Sequence, residues 1–347
     1  MMETPPHATI WGTLSADSRR RGSIMKGTIQ TGFGDPGEVL RVGEVATPVL
    51  DDDGVLVRVR AASIHIGAVY GVRGLPKVMR PMFKSYIAKS GVIGQNIAGV
   101  VEAVGENVTQ PTVGDEVFGS CKGAFAEYAA TTSEALALKP TNFTFEQASA
   151  VGVSAFTALQ ALQSHGDLQE GQHVLVTGAS GGVGTFAVQI AKAMGAEVTG
   201  VCSTRNLELV RSIGADHVID YTQQDFTKGE PQYDLILDNV GAHSLKDMRS
   251  VLTPNGLLLA NGAQAPTGWF GGLGHPLKVT VSSLFSRQQG RPFFSTENEE
   301  DLRTLRELAE AGKITPVIDQ VFPLEAAVDA VAFVGEGHNQ GTSVITM

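Results

Sequence analysis

The 347-residue chain is short of cysteine, of positive charge and of long apolar runs, and each shortage excludes something. Its two cysteines, Cys121 and Cys202, cannot build a zinc lobe of four thiolates and suggest no disulfide framework, so a reducing, cytoplasmic setting is expected. Lysine and arginine number 26 against 36 aspartates and glutamates, a net charge of −10, which argues against the clustered positive surface that nucleic acid requires. No apolar run approaches the ~20 residues of a membrane span, so no stable membrane insertion is expected. No internal repeat or low-complexity tract stands out. The remaining composition, 42% hydrophobic and 18% charged, is that of a soluble globular enzyme with a sizeable core, and the length suggests two domains.

Residues 1–24 differ from the rest. They carry Pro5-Pro6 and Arg19-Arg20-Arg21 with no apolar core behind the arginines, so a secretory signal is not indicated. A disordered extension is expected, with a targeting peptide as the lesser alternative; strand-like sequence begins at Met25.

The most informative stretch runs from Val174 to Lys192. A β-branched strand enters the turn Gly178-Ala179-Ser180-Gly181-Gly182-Val183-Gly184, which opens into a helix. Val183, Phe186, Ala187, Ile190, Ala191 and Met194 recur at i, i+3, i+4, i+7, i+8 and i+11 and form one apolar face. Glycines remove Cβ atoms where a bulky anion approaches the backbone, and the helix N-terminus offers free N–H groups and a positive dipole end. This is the physical design of a dinucleotide pyrophosphate site, although alanine stands in the first place of the G-x-G-x-x-G pattern. A tight turn that binds nothing is the alternative; the strand before it and the second strand near 197–202 argue for the site.

Before this stretch the chain reads as β-rich. Val55–Arg60 alternates at period two, and Ile97–Val104, Glu116–Phe118, Phe125–Ala130 and Ala135–Leu138 are further short strands punctuated by glycine, suggesting a barrel-like domain. Phe145–Ser164 carries a helical pattern. Strands at Val174–Thr177, Val198–Cys202, His217–Ile219, Asp234–Leu237 and Leu257–Ala260 then alternate with helices, which implies a doubly wound parallel sheet of Rossmann type. A helix with Leu302, Leu305 and Leu308, the short apolar segment Val317-Ile318, a helix from Leu324 to Val334 and a strand at Ser343–Thr346 complete the pattern. The second strand of the sheet ends Val201-Cys202-Ser203-Thr204-Arg205, without the carboxylate that bonds the ribose 2′-OH of NAD. Ser203 and Thr204 can donate hydrogen bonds and Arg205 can fork onto a 2′-phosphate, so NADPH is expected over NADH. A solvated arginine at a helix start is the alternative, disfavoured because a cation there opposes the dipole.

Ile97-Ala98-Gly99-Val100-Val101-Glu102-Ala103-Val104-Gly105, Gly114-Asp115-Glu116-Val117-Phe118-Gly119 and Gly123–Tyr128 resemble the medium-chain dehydrogenase/reductase superfamily, and the likeness covers essentially Met25 to Met347. Ala179–Gly184, Cys202–Asn206 and Asp238-Asn239-Val240-Gly241 look like its zinc-independent quinone oxidoreductase branch. The resemblance implies a GroES-like β-barrel over residues 25–146, a Rossmann NADP-binding domain over 147–297, and a return segment over 298–347 that completes the barrel domain, with the active site between them. It also implies that Thr157 lies near the nicotinamide, that Tyr221 packs against the 2′-phosphate, and that Asn239 and Val240 border the cofactor. Zinc-dependent relatives have a cysteine after the third strand and a Gly-His-Glu in the next motif; here those positions read His65 and Gly94-Gln95-Asn96. Glutamine and asparagine are poor zinc ligands and one histidine cannot hold the metal, so no metal site is expected.

A nicotinamide delivers hydride, and without zinc the easiest acceptors are those that delocalise the incoming charge, namely quinones and α,β-unsaturated carbonyls. One or two hydrogen-bond donors then suffice. Tyr70 can donate to the carbonyl oxygen, and His65 can donate or relay a proton near neutral pH. Cleft packing is the alternative for Tyr70, and a satisfied structural histidine for His65. Relatives often carry asparagine and aspartate where this chain has His65 and Ala68. The expected activity is a zinc-independent NADPH-dependent reduction of a small lipophilic electrophile by a homo-oligomer, dimer or tetramer. An NAD(P)-dependent alcohol or carbonyl dehydrogenase and a non-catalytic NADPH-binding protein are the rivals. The stretch Pro266–Thr296 holds Trp269, Phe270, Phe285, Lys278, Arg287 and Arg291 and no acidic residue. A subunit interface or covering loop is the favoured reading of it; a cleft mouth or a contact with an anionic membrane are the others.

Overall fold

The structure, a computed structural model, describes residues 23–89, 91–230, 232–261, 288–293 and 295–347. Residues 266–287 of the acid-free stretch and residues 1–22 of the 1–24 extension lie outside the described residues, and Ile24 already belongs to the first strand.

The chain opens with an antiparallel pair, β1 (Ile24–Gln30) on β2 (Leu40–Ala46), joined through a short helix α1 (Pro36–Val39). β3 (Gly54–Ile64) then organises the barrel domain. Val55, Val57 and Val59 point inward and are buried while Arg58 and Arg60 are exposed, as the period-two pattern requires. Its length lets it serve three neighbours. One edge pairs with β4 (Asn96–Val104). The other takes β6 (Tyr128–Thr132) along its first half and the final strand, β15 (Thr342–Thr346), along its second. β5 (Glu116–Ser120), β7 (Leu136–Leu138) and β14 (Ile318–Pro323) complete a seven-stranded sheet in the order β14-β15-β3-β4-β5-β7, with β6 on β3. The helix Ala327–Gly335 closes its core with Ala327, Ala330, Val331 and Val334 at i, i+3, i+4 and i+7.

The second sheet is wholly parallel. β8 (His173–Thr177), β9 (Glu197–Cys202), β10 (His217–Asp220), β11 (Tyr233–Asp238), β12 (Leu252–Ala260) and β13 (Gln289–Pro292) stand in the order β10-β9-β8-β11-β12-β13. Both faces are covered, so successive strand residues serve different cores. Val174 and Val176 pack with Phe186 and Ile190 on one side, whereas Leu175 packs with Ile236, Met248 and Leu258 on the other. The chain rises from β8 and turns outward in opposite directions to β9 and β11, which creates a crevice at the C-terminal ends of those strands.

α4 (Phe145–Gln160) joins the two halves. It packs against β3, β4 and β15 on one side and against α5 (Gly182–Ala193) and the helix Glu299–Glu310 on the other. Thr144 and Gln147 form a reciprocal capping box at its start. Within it Gly152 leaves helical geometry (φ −15°, ψ −135°), and a Cβ there would sit 2.2 Å from Asn96 Cγ. The Asn96 amide fills that space, accepting from the Val153 N–H at 3.2 Å and donating to Ser63 Oγ at 3.0 Å.

Several elements differ from the sequence expectation. The strand expected at Phe125–Ala130 is shifted to Tyr128–Thr132, because Phe125 and Ala126 cross to the β1–β2 pair instead. The apolar segment Val317-Ile318 leads into a strand that runs from Ile318 to Pro323. Two helices, α2 (Ile66–Arg73) and α3 (Arg80–Lys89), were not indicated by any apolar period. α2 starts at an extended His65 and ends on Gly74 in the left-handed region (φ 64°), where glycine carries no Cβ penalty.

Candidate active site

The glycine-rich turn is built by close approach. Gly178 leaves β8 with φ 61°, and its carbonyl accepts from the Gly181 N–H at 3.0 Å. Ala179 is wholly buried with its N–H on the Val201 carbonyl at 3.0 Å, so the alanine that breaks the glycine pattern is packing beneath β9. At Gly184 a Cβ would lie 2.1 Å from the Gly178 oxygen and 2.7 Å from Ala179 Cα; only glycine lets α5 start this close to its strand. Gly181 is the N-cap and brings no side chain to the first helical turn at Gly182, Val183 and Gly184. Unmet N–H groups at a positive dipole end, with bare glycines in front, fit a dinucleotide pyrophosphate. Ser154 of α4 borders the same turn, 2.9 Å from where a Gly182 Cβ would be.

The crevice between β8 and β11 is framed by one buried carboxylate. Asp238 Oδ1 accepts from Thr177 Oγ1 at 2.7 Å and from the N–H groups of Val240 and Gly241 at 3.1 and 3.0 Å. This wraps the turn around the strand end and leaves Val240 exposed at its lip. Asn239 bonds the Thr177 carbonyl and receives the Asn261 amide at 2.7 Å.

At the far end of the crevice lie Ser203, Thr204, Arg205 and Tyr221. Tyr221 is 59% exposed, with its N–H on the Cys202 carbonyl. Thr204 Oγ1 sits 2.6 Å from an Asp220 oxygen and 3.0 Å from Thr222 Oγ1. These hydroxyls, Thr204 first, hold the Asp220 carboxyl below its usual range. So although β9 ends without a carboxylate, β10 brings one alongside. Arg205 Nη2 donates to the His338 carbonyl at 2.5 Å. Asn206, buried, donates to Ser180 Oγ at 2.8 Å and accepts from Gln340 at 2.6 Å, and the Gly341 N–H reaches the Ser180 carbonyl at 2.7 Å. The approach to the last strand is thus fastened onto the glycine-rich turn.

On the barrel side, His65 caps α2 and Tyr70 lies one turn further along the helix. Both are half-buried. Burial pulls the His65 imidazolium down to about 4, opposed by a hydrogen bond with Gln95. The expectation that His65 exchanges a proton near neutral pH is therefore corrected: desolvation keeps the ring neutral there. Burial raises the Tyr70 phenol, with Arg73 close enough to act against it, so Tyr70 stays protonated and able to donate. Gln95 Nε2 donates to Glu297 Oε1 at 3.0 Å, and the Gln95 carbonyl accepts from the Cys121 N–H. Burial, and secondarily Glu297, pushes the Cys121 thiol up; burial takes Cys202 to about 11. Neither is a thiolate at neutral pH. Thr157 Oγ1 bonds the Val153 carbonyl at 2.7 Å and Ser295 Oγ at 2.9 Å.

Sequence reasoning gave no role of its own to Glu297, Asp220, Asn206, Asn261 or Ser154. Asp220 and Asn261 had a readable signal, since each stands at or just past the C-terminal end of a parallel strand. Glu297 had none: its partner Gln95 lies some two hundred positions away.

A parallel sheet ordered 3-2-1-4-5-6, a glycine turn under a bare helix start and a barrel domain facing its crevice together define a two-domain oxidoreductase using a nicotinamide cofactor. Residues 51–141 match the alcohol dehydrogenase GroES-like domain and residues 213–345 the zinc-binding dehydrogenase family. The chain is 31% identical over 338 residues to a 2-methylene-furan-3-one reductase of Solanum lycopersicum, covering 93% of this chain and 79% of that one. It is 28% identical over 335 residues to an NADPH-dependent alkenal/one oxidoreductase, chloroplastic, of Arabidopsis thaliana, covering 92% and 79%. The structure of a quinone oxidoreductase from Coxiella burnetii superposes with a TM-score of 0.82 at 26% identity, covering 94% and 100%. The chain belongs to the medium-chain dehydrogenase/reductase superfamily, in its quinone oxidoreductase-like branch. No helix among the described residues is long and apolar enough to cross a membrane.

Proposed function

We propose that the protein is an NADPH-dependent reductase of quinones or α,β-unsaturated carbonyls that works without zinc. The observation that carries this is the fate of the three side chains at the positions where zinc-dependent relatives hold the metal. The Asn96 amide is consumed by the kink of α4, Gln95 is tied to Glu297, and His65 is left as a single neutral imidazole. That donor set does not fit a catalytic zinc, which needs three strong ligands and an open position.

Ser180–Gly184 would hold the pyrophosphate, Asn239, Val240 and Thr157 the nicotinamide end, and Ser203, Thr204, Arg205 and Tyr221 the 2′-phosphate. Asp220 stands beside that last site as a negative charge and takes the one hydroxyl proton of Thr204, so binding a 2′-phosphate requires Arg205 to outweigh that charge and Thr204 to turn away from Asp220. Arg205 has five donors and spends one on His338. When bound, NADPH supplies a hydride. The chain's own part is to orient the acceptor and steady the negative charge that develops on its oxygen. Tyr70, held protonated, donates to that oxygen. His65, held neutral, offers an N–H or a lone pair but no imidazolium. Delocalised acceptors need no stronger acid.

The test is NADPH oxidation against a panel of quinones and enones, with simple alcohols and NADP⁺ as the control for the dehydrogenase alternative. Quinones or enones are expected to accelerate oxidation and alcohols to give no turnover; a panel without acceleration refutes the proposal. Tyr70→Phe is expected to lower kcat/KM by about tenfold, the loss of one hydrogen bond to a charged group. A homodimer or homotetramer in the cytoplasm accompanies this reading, testable by sedimentation and by fractionation.

A further inference from the structure

In a chain of net charge −10, no aspartate or glutamate occurs between Asp53 and Glu102, while seven lysines and arginines do. Arg58 and Arg60 face out from β3, and Arg73 reaches Asp35 at 4.0 Å. The other four fall on one short segment. A 3₁₀ turn at Lys77–Met79 runs directly into α3, so Lys77, Arg80 and Lys84 stand at i, i+3 and i+7 and share a helical face. Among the described residues none of these three forms an ion pair with a carboxylate.

Arg80 is held in place for something. It is half-buried, its guanidinium lies 5.2 Å from the Phe33 ring centroid, and its Nε donates to the Gly74 carbonyl at 3.1 Å. Phe33 is steadied in turn by the edge of Phe83, with centroids 6.5 Å apart. Among the described residues only its Nε is hydrogen-bonded, and a stacked guanidinium so held presents its two terminal nitrogens as a fork, the geometry that carboxylate and phosphate accept. Beside this stripe, Val78 and Met82 stand at i and i+4 and are exposed, Met82 by 58%. The whole arrangement hangs from the end of the helix that carries Tyr70: Gly74, which holds Arg80, caps α2, and the Tyr70 carbonyl accepts from the Leu75 N–H at 2.8 Å.

We infer that Lys77, Arg80 and Lys84 bind the anionic end of an amphiphilic substrate, whose hydrocarbon lies along Val78 and Met82 and whose unsaturated carbonyl reaches Tyr70. The inference deepens the reductase reading above and rests on it for the reacting group. The substrate class is an enone or enoyl compound that carries a carboxylate or phosphate separated from the alkene by a hydrocarbon spacer. An anionic membrane surface would also attract basic and apolar residues. It is disfavoured because the rest of the chain is acidic and because Arg80 is fixed by stacking for one partner, whereas membrane contact uses diffuse, extended side chains.

The experiment compares three probes of equal length on the full chain with NADPH: a straight-chain enone with a terminal carboxylate, its methyl ester, and the matching phosphate monoester. The charged probes are expected to exceed the ester in kcat/KM by about tenfold, with the difference in KM, and the gap is expected to close at high salt. The carboxylate and phosphate arms show which anion is preferred. In Lys77→Glu/Lys84→Glu, two exposed positions, the preference for charge is expected to vanish. Equal efficiency for acid and ester, or a preference that survives the double substitution, overturns the inference while leaving the reductase reading intact. If no probe is reduced, the reductase reading fails, and equilibrium binding of the saturated acid against its methyl ester then decides the stripe by the same criterion. Charge-dependent co-sedimentation with phosphatidylserine vesicles, with acid and ester bound alike, assigns the stripe to a membrane and overturns the inference.

Discussion

Two glycines three residues apart make opposite demands, and substituting each by alanine separates the fold from the cofactor. At Gly184 a new Cβ lies 2.1 Å from the Gly178 oxygen, so the start of α5 must retreat by about 1.3 Å to restore a 3.4 Å contact. The contact is with backbone that cannot swing aside, and overpacking of this kind costs about 1–3 kcal/mol. A fall in Tm of several degrees is expected. At Gly181 the same atom meets nothing closer than 3.5 Å, and φ −86° with ψ 179° suits any residue. Gly181→Ala is therefore expected to change stability by less than ~0.5 kcal/mol. Yet its methyl group is added at the helix start, where the proposed pyrophosphate would meet the backbone. Losing one charge-assisted bond there is worth about 1.5–3 kcal/mol, or roughly a 10- to 100-fold weaker Kd. Thermal unfolding read by circular dichroism and NADPH titration read by fluorescence measure the two quantities. Wild-type cofactor affinity in Gly181→Ala would refute the placement of the pyrophosphate, and wild-type stability in Gly184→Ala would refute the packing argument.

Three further outcomes are expected. Arg205→Ala should weaken NADPH by about 10- to 100-fold and leave NADH nearly unchanged, and an unaltered NADPH/NADH ratio removes Arg205 from phosphate recognition. Asn96→Ala should cost about 3 kcal/mol in urea unfolding, since it strips the Val153 N–H and Ser63 Oγ of a partner and leaves a hole beside Gly152; a loss below about 1 kcal/mol would show that the kink holds itself. His65 has a folded-state pKa of about 4 against an ordinary 6.5, so the unfolded chain binds the extra proton between those values. The stability this confers is fully present above about pH 6.5 and is lost as pH falls towards 4. His65→Gln should flatten that acid limb, and the pH profile of kcat/KM should show no titration near 6.5; a histidine limb there contradicts the neutral ring.

Much of the cofactor half was legible because its signals are local. A strand, a glycine turn and the 3.6 period of α5 occupy twenty consecutive residues, and the alternation of strands and helices fixes a parallel sheet. The barrel half yielded its strand pattern but not α2 or α3, whose boundaries depend on a left-handed glycine and on Arg80 stacking over Phe33. The candidate site divides the same way. Ser203, Thr204, Arg205 and Tyr221 come together from two adjacent strand ends that sequence order predicts. The environment of His65 does not follow from sequence, since burial, Gln95 and Glu297 are contributed by three distant segments. That is why the sequence suggests a histidine titrating near neutral pH where burial pulls the imidazolium down to about 4.

The contact between Ser180 and Gly341 also has a meaning in time. The two positions are roughly 160 residues apart, and synthesis at ~5–20 residues per second separates them by about 8–32 s. Within that interval the nascent chain completes β8 to β13 before the His338 carbonyl, the Gln340 amide and the final strand exist. Arg205 then lacks its carbonyl partner and the Asn206 amide oxygen lacks its donor, while the Asn206 bond to Ser180 can already form. A nicotinamide cofactor that reaches the young turn before its own C-terminal cover would stand in for those partners, so its supply to a growing chain should influence how much of it folds.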